Sequence, residues 1–309
     1  MLVRLRPENV AESKEFLRDS GFALLAVMLW GLAFPLIQDG LESFGPVTLG
    51  FLGFVLASAV LMGFVLWRHP VRDIKETAVR EWKPLLALGL LYVTIPNIAQ
   101  NIALENGTSS IASVIQSSGP VMTLAFAVIL LNERLTTMKG IGTIIAMSGT
   151  MLLVTIGGIS LGDDDFASNL LILISAATYG LAWVTAKRML ERNQPMLIIG
   201  LSIAIGTLFL GLVAPFEENG VSNVSAQAFF NLGILGVFCA GVSSVFYLRA
   251  LERQEVSRMA FLIYLMPVFA SLFAWMLRGE GVETWTVVCG VVIVAGIAVA
   301  NKNGKRRRP

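Results

Sequence analysis

The chain has 309 residues, of which 55% are hydrophobic and 14% charged, where a soluble domain carries about 25% charged residues. Its mean hydropathy is +0.74. Too little polar sequence remains to cover a soluble fold, which excludes a soluble enzyme, a disordered chain and a nucleic-acid binder.

Residues 1–20 hold Arg4, Arg6, Lys14 and Arg18 among acidic residues, with no short apolar core before a cleavage site. They are expected to form a short cytosolic helix near the membrane surface. Ten apolar stretches follow, at about 22–39, 46–67, 84–104, 109–131, 138–157, 168–187, 195–215, 228–248, 258–277 and 284–301. Each matches the roughly 20 residues that a helix needs to cross a bilayer core. The only histidine is His69, in a charged loop, and Cys239 and Cys289 lie in apolar runs. Neither a metal site nor a cofactor site is expected from them.

The basic residues test the count. With a cytosolic N-terminus, 22 of the 23 Lys and Arg fall in the N-terminal segment, the even-numbered loops or the tail, and only Arg278 falls outside. Two of the opposite loops carry Asp163, Asp164 and Asp165, and Glu217 and Glu218, and have no Lys or Arg. This is the positive-inside pattern, and it puts both termini in the cytosol and the chain in the cell membrane.

The sequence also repeats. A shift of 147 places Ala103-Leu104-Glu105 on Ala250-Leu251-Glu252, Pro120-Val121 on Pro267-Val268, Glu133 on Glu280 and Gly149 on Gly296. A shift of 149 places Gly31-Leu32-Ala33 on Gly180-Leu181-Ala182 and Pro46 on Pro195. A five-helix unit starts its second copy on the opposite side of the membrane. The expected fold is therefore an all-α integral membrane protein of ten transmembrane helices, arranged as two inverted five-helix repeats, 21–158 and 159–301, with a basic cytosolic tail at 302–309. Inverted repeats of this kind build many secondary transporters, with the site near the midplane.

At this point the residues resemble the EamA-type transporters of the drug/metabolite transporter superfamily. Trp30-Gly31 in the first stretch resembles that family's first-helix signature. The run from Thr108 through Pro120 to Glu133-Arg134-Leu135-Thr136 resembles its fourth-helix ending. The second copy departs, with Gly281 after Glu280 and Tyr179 in the place of Trp30. The resemblance implies a ten-helix carrier of small metabolites working by alternating access, and export rather than import.

No Asp, Glu, Lys, Arg or His occupies the central turns of the ten stretches. This argues against a buried carboxylate for proton coupling, and against a cationic site for phosphorylated metabolites or nucleotide sugars. Uncharged polar residues are more informative. Asn97, Gln100 and Asn101 share one helix face, and Ser113, Gln116 and Ser117 follow in the next stretch. By the repeat, Asn97 maps to Ser244, Gln100 to Tyr247 and Ser117 to Tyr264. Trp30 with Phe34, and Tyr179 with Trp183, are aromatic pairs one turn apart at equivalent depths, where an interfacial belt does not explain them. Trp30, Phe34, Asn97, Gln100, Asn101, Gln116, Tyr179, Trp183, Ser244, Tyr247 and Tyr264 are thus the candidate substrate-binding residues. Helix–helix packing is the rival role for each.

Pro120 and Pro267 are repeat mates inside apolar stretches and candidate hinges. Gly142 with Ala146 and Gly296 with Ala300 suit close packing between halves or between the protomers of a homodimer. The expected partners are a small-molecule substrate and membrane lipid. The substrate class is an amino acid or a similar metabolite with aromatic or apolar bulk. The rivals are a phosphorylated-metabolite carrier on the same fold and a membrane-embedded enzyme, for which the stretches offer no histidine and no acidic pair.

Overall fold

A computed structural model describes residues 7–106, 115–116, 118–156, 166–217, 220–222, 224–278 and 284–301. Helix α1 covers Pro7–Leu41 and α2 Pro46–Arg68. The short α3, Val71–Arg80, lies in what the sequence suggests is a loop, and buries Ile74 and Thr77. Helix α4 runs Trp82–Gly89, widens into a π turn at Leu90–Thr94 and continues as Ile95–Asn106. Then come α5 at Gly119–Leu131, α6 at Thr137–Ile156, α7 at Phe166–Leu190 and α8 at Pro195–Val213. Helix α9 comprises Ala226–Ile234, a π stretch at Leu235–Val242 and Ser243–Arg253. Helix α10 comprises Val256–Ala260, a 3-10 stretch at Phe261–Leu265 and Met266–Arg278, and α11 is Thr284–Asn301.

Among the described residues, seven helices are long and apolar enough to cross a membrane, and Gly119–Leu131 and Val287–Asn301 are shorter apolar helices. Large apolar side chains cover the outside, with Ile144 68%, Leu208 70% and Val291 65% exposed. Such a surface suits hydrocarbon and not water. Trp67, Trp82 and Trp285 stand exposed at helix ends, as belt residues do. One expectation is corrected: residues from Pro7 onward do not form a separate surface helix but extend the first span without a break. No proline interrupts the chain between Pro7 and Pro35, so nothing ends the helical hydrogen-bond ladder there.

Helix α1 packs against α9 and α10, and α7 packs against α4 and α5. Helix α2 packs against α8 and α9, and α8 against α4. Helices α6 and α11 lie backbone to backbone. A Cβ on Gly142 would stand 2.5 Å from the Gly296 carbonyl oxygen, and one on Gly296 would overlap the Ala146 backbone. The small-residue pattern on these two helices thus serves a contact within the chain. Gly31 and Gly180 play the same part elsewhere, a Cβ on them meeting Phe269 of α10 and Thr123 of α5 respectively.

The connections meet at two ends of the bundle. At one, Gly45 N–H donates to Gly220 O at 3.1 Å and Ser222 N–H to Ser43 O at 2.9 Å. There the Glu217 carboxylate accepts the Val47 and Thr48 N–H groups at 2.9 and 2.8 Å, capping the start of α2. A carboxylate suits that position because the first N–H groups of a helix lack partners and carry partial positive charge. At the other end, Arg80 donates to Asn193 at 2.6 Å and Gln254 to the buried Asp19 at 2.8 Å.

Candidate functional site

A cavity of about 130 Å³ lies between α1, α2, α4, α5, α7, α9 and α10. Trp30 and Phe34 of α1, Asn97, Gln100 and Asn101 of α4, and Tyr179 and Trp183 of α7 line it, together with Gln116. These residues come from both copies of the repeat. Gly50 and Gly53 of α2, with Thr123, Leu235 and Cys239, complete the wall. Among the described lining residues there is no Asp, Glu, Lys, Arg or His.

The remaining candidates sit elsewhere. Tyr247 is fully buried behind the wall, with its ring 5.0 Å from Trp30 and 4.5 Å from Trp183. Ser244 also stands behind the cavity, bonded to the Tyr92 hydroxyl at 2.5 Å. Tyr264 faces away, packed with Leu124, Ala146, Ile293 and Ile297. The 3-10 stretch explains this displacement: with three residues per turn, and not 3.6, it rotates Tyr264 off the face that an α-helical reading assigns it. Ser113, Ser117 and Glu280 lie outside the described residues.

Sequence reasoning missed Tyr92, which lines the cavity from the π turn of α4. Its ring lies 4.9 Å from Trp183 and 5.8 Å from Tyr179, and Trp183 in turn stacks on Trp30 at 5.5 Å. A signal existed. Pro96 has no N–H, so the carbonyl four residues earlier, that of Tyr92, loses its α-helical partner. Asn97 compensates: its side-chain amide donates to Val93 O at 2.7 Å and lies 3.5 Å from Tyr92 O. Widened turns of this kind concentrate at functional positions. The second π stretch, Leu235–Val242, includes the repeat mate of Tyr92, Cys239, which also lines the cavity.

The two candidate hinge prolines stand near the starts of helical segments rather than deep within them. Pro120 lies in the first turn of α5, after a turn in which Ser118 N–H bonds Ile115 O at 2.9 Å. Pro267 follows the 3-10 stretch of α10. Pro120 is buried. Each proline thus marks a change of helical geometry between two segments.

Below the cavity, Tyr247, Leu248, Leu251 and Val256 form a fully buried layer. Charged groups then tie this end together. Asn132, with a left-handed backbone at φ 54°, ends α5, a conformation Asn tolerates better than most residues. Glu133 follows it, and its carboxylate accepts the Val256 N–H at 2.7 Å, the Ser257 N–H at 3.3 Å and the Ser257 hydroxyl. Lys139, 5% exposed, donates to Ser257 Oγ at 2.7 Å, with Glu255 at 3.0 Å and Glu133 at 3.6 Å. The Lys187 ammonium caps the end of α9 at Leu251 O (2.5 Å) and Gln254 O (2.8 Å), and Arg188 donates to Leu130 O at the end of α5. Glu133, Lys187 and Arg188 each meet a helix terminus of opposite partial charge.

The apolar exterior and the long apolar helices around an internal cavity define a multi-pass membrane protein. The EamA-like transporter family model matches residues 20–155 and again 167–302, and the chain belongs to that family. An Archaeoglobus fulgidus protein named an uncharacterized transporter is 25% identical over 277 residues, covering 88% of this chain and 93% of the relative. A Streptantibioticus cattleyicolor protein named a probable terminal-alkyne amino-acid exporter is 25% identical over 291 residues, covering 92% and 94%. A solved structure matches with a TM-score of 0.78 at 19% identity, covering 92% of this chain and 96% of its own. The protein is a membrane transporter.

Proposed function

We propose that the chain is a ten-span secondary carrier built of two inverted five-helix halves, exporting a small amino acid or similar metabolite with aromatic or apolar bulk. The observation that carries this reading is the uncharged cavity, walled by aromatic and amide side chains from both halves. Exchanging the halves turns the α1 contacts with α9 and α10 into the α7 contacts with α4 and α5, and the α2–α9 contact into α8–α4. That correspondence supports the twofold arrangement. The Glu133 end is assigned to the cytosol, and both termini with it, because the Lys- and Arg-rich segments gather there. On this assignment the packed layer below the cavity closes the cytosolic side, and transport requires that layer to part while the outer side closes. The export direction follows the name of the Streptantibioticus relative.

A carrier of phosphorylated sugars needs guanidinium or ammonium groups in its wall, and the described lining carries none. The test is uptake by proteoliposomes against a metabolite panel, with and without an imposed pH gradient. Saturable transport of a neutral or zwitterionic ring-bearing metabolite is expected. Transport confined to phosphorylated sugars overturns the reading.

A further inference from the structure

Resting on that reading of the cavity as the substrate site, we propose that the site selects its ligand by a nitrogen donor. An amine or ammonium group is taken by the side-chain oxygens of Asn101 and Gln116, with the ligand's ring against the Trp30–Trp183–Tyr92 wall.

The proposal follows from an account of donors and acceptors. Several of the wall's donors are engaged internally. Ser244 donates to Ala240 O, so in the Tyr92–Ser244 bond the phenol is the donor. Thr123 donates to Gly119 O at 2.8 Å, and the Asn97 amide to Val93 O. Asn101 donates to Pro46 O at 2.9 Å, which fixes its orientation, because the flipped amide would set two oxygens against each other.

Two acceptors remain over. Asn101 Oδ1 and Gln116 Oε1 have no hydrogen-bond partner, although both residues are more than nine-tenths buried and line the cavity. Buried oxygens of this kind call for a donor, and a ligand N–H supplies one. The three ring systems favour the same ligand, because aromatic faces attract a cation. A carboxylate finds the opposite condition: no Lys, Arg or His among the described lining residues. The wall thus discriminates by the sign and hydrogen-bonding sense of the polar group, while the rings accept varied apolar parts.

The test uses the full-length protein in detergent at pH 7, with calorimetric binding of 2-phenylethylamine, phenylalanine and 3-phenylpropionate. These probes share a ring and differ in the amine and the carboxylate. The amine is expected to bind at least about tenfold tighter than 3-phenylpropionate. Gln116→Leu should weaken amine binding about tenfold. Gln116→Glu, which places a full negative charge at the same position, should strengthen it, a gain that a misfolded protein cannot produce. Equal binding of amine and carboxylate, no binding of any probe, or unchanged amine affinity in both variants overturns the proposal. The carrier reading is judged separately: proteoliposomes that transport 3-phenylpropionate or another ring-bearing acid retain it while donor selection falls. Absence of transport across the metabolite panel removes the carrier reading itself.

Discussion

The cavity wall and the layer beneath it bury polar groups in opposite ways. The wall holds amides and phenols, carries no formal charge among its described residues, and leaves the oxygens of Asn101 and Gln116 unpaired. A short distance toward the Glu133 end, full charges are buried, and the polar neighbours of Glu133 and Lys139 are close. Glu133 receives three donors and Lys139 contacts Ser257, Glu255 and Glu133. The difference is one of solvation. A charge removed from water requires compensation by partners of opposite sign. An uncharged amide can wait with one oxygen unbonded at a smaller cost, which a ligand can recover. Saturated polar groups hold helices together, and unsaturated ones are available to a substrate.

The largest break in this comparison should come at Glu133. Glu133→Ala removes the acceptor of the Val256 and Ser257 N–H groups and strips Lys139 of a partner. A loss of about 3–5 kcal/mol is expected in denaturation of the detergent-solubilised protein, the range for removing one member of a buried pair. Adding Lys139→Ala should cost less than the sum of the two single losses, because the two side chains are coupled.

Next comes the aromatic stack. Trp183→Ala removes the contacts to Trp30, Tyr92 and Tyr247 together and should cost about 3 kcal/mol, with loss of substrate binding. Trp183→Phe should recover most of the stability but not the substrate preference, as measured by melting and by competition for uptake.

Asn97→Leu tests the wall's amides. It deletes the bond to Val93 O and should cost about 1 kcal/mol, while transport falls by a larger factor than stability accounts for. Equal falls would recast Asn97 as a packing residue.

The smallest effect on stability is expected at the prolines. Pro120→Ala and Pro267→Ala restore an N–H near the start of a helical segment, where the helix geometry already changes and proline costs little. Melting should shift by less than about 1 kcal/mol, yet transport should slow if these joints flex during the cycle. Normal transport by both single variants and the double variant removes the hinge role.

Much of the site was legible because its residues violate the local composition. Trp30, Asn97, Gln100, Asn101 and Trp183 are aromatic or polar at depths where aliphatic side chains dominate, and all of them line the cavity. Tyr92 is also aromatic among aliphatic neighbours, but composition alone did not give its face. Its place depends on a π turn, which adds a residue to the ring closed by each backbone bond and so shifts the helix face. Tyr264 was misplaced by the same kind of error in the tighter 3-10 direction.

The lengths of the apolar stretches and the positions of the basic residues needed only the sequence, because hydrocarbon forces each backbone bond to close within its own helix. The repeat likewise needed only the sequence. The partners of Glu133 did not: its bond to Val256 joins residues 123 positions apart, and nothing local specifies such a pairing. Which polar atoms are left unbonded is also a tertiary property, since Asn101 becomes an open acceptor only when its amide meets the Pro46 carbonyl of another helix.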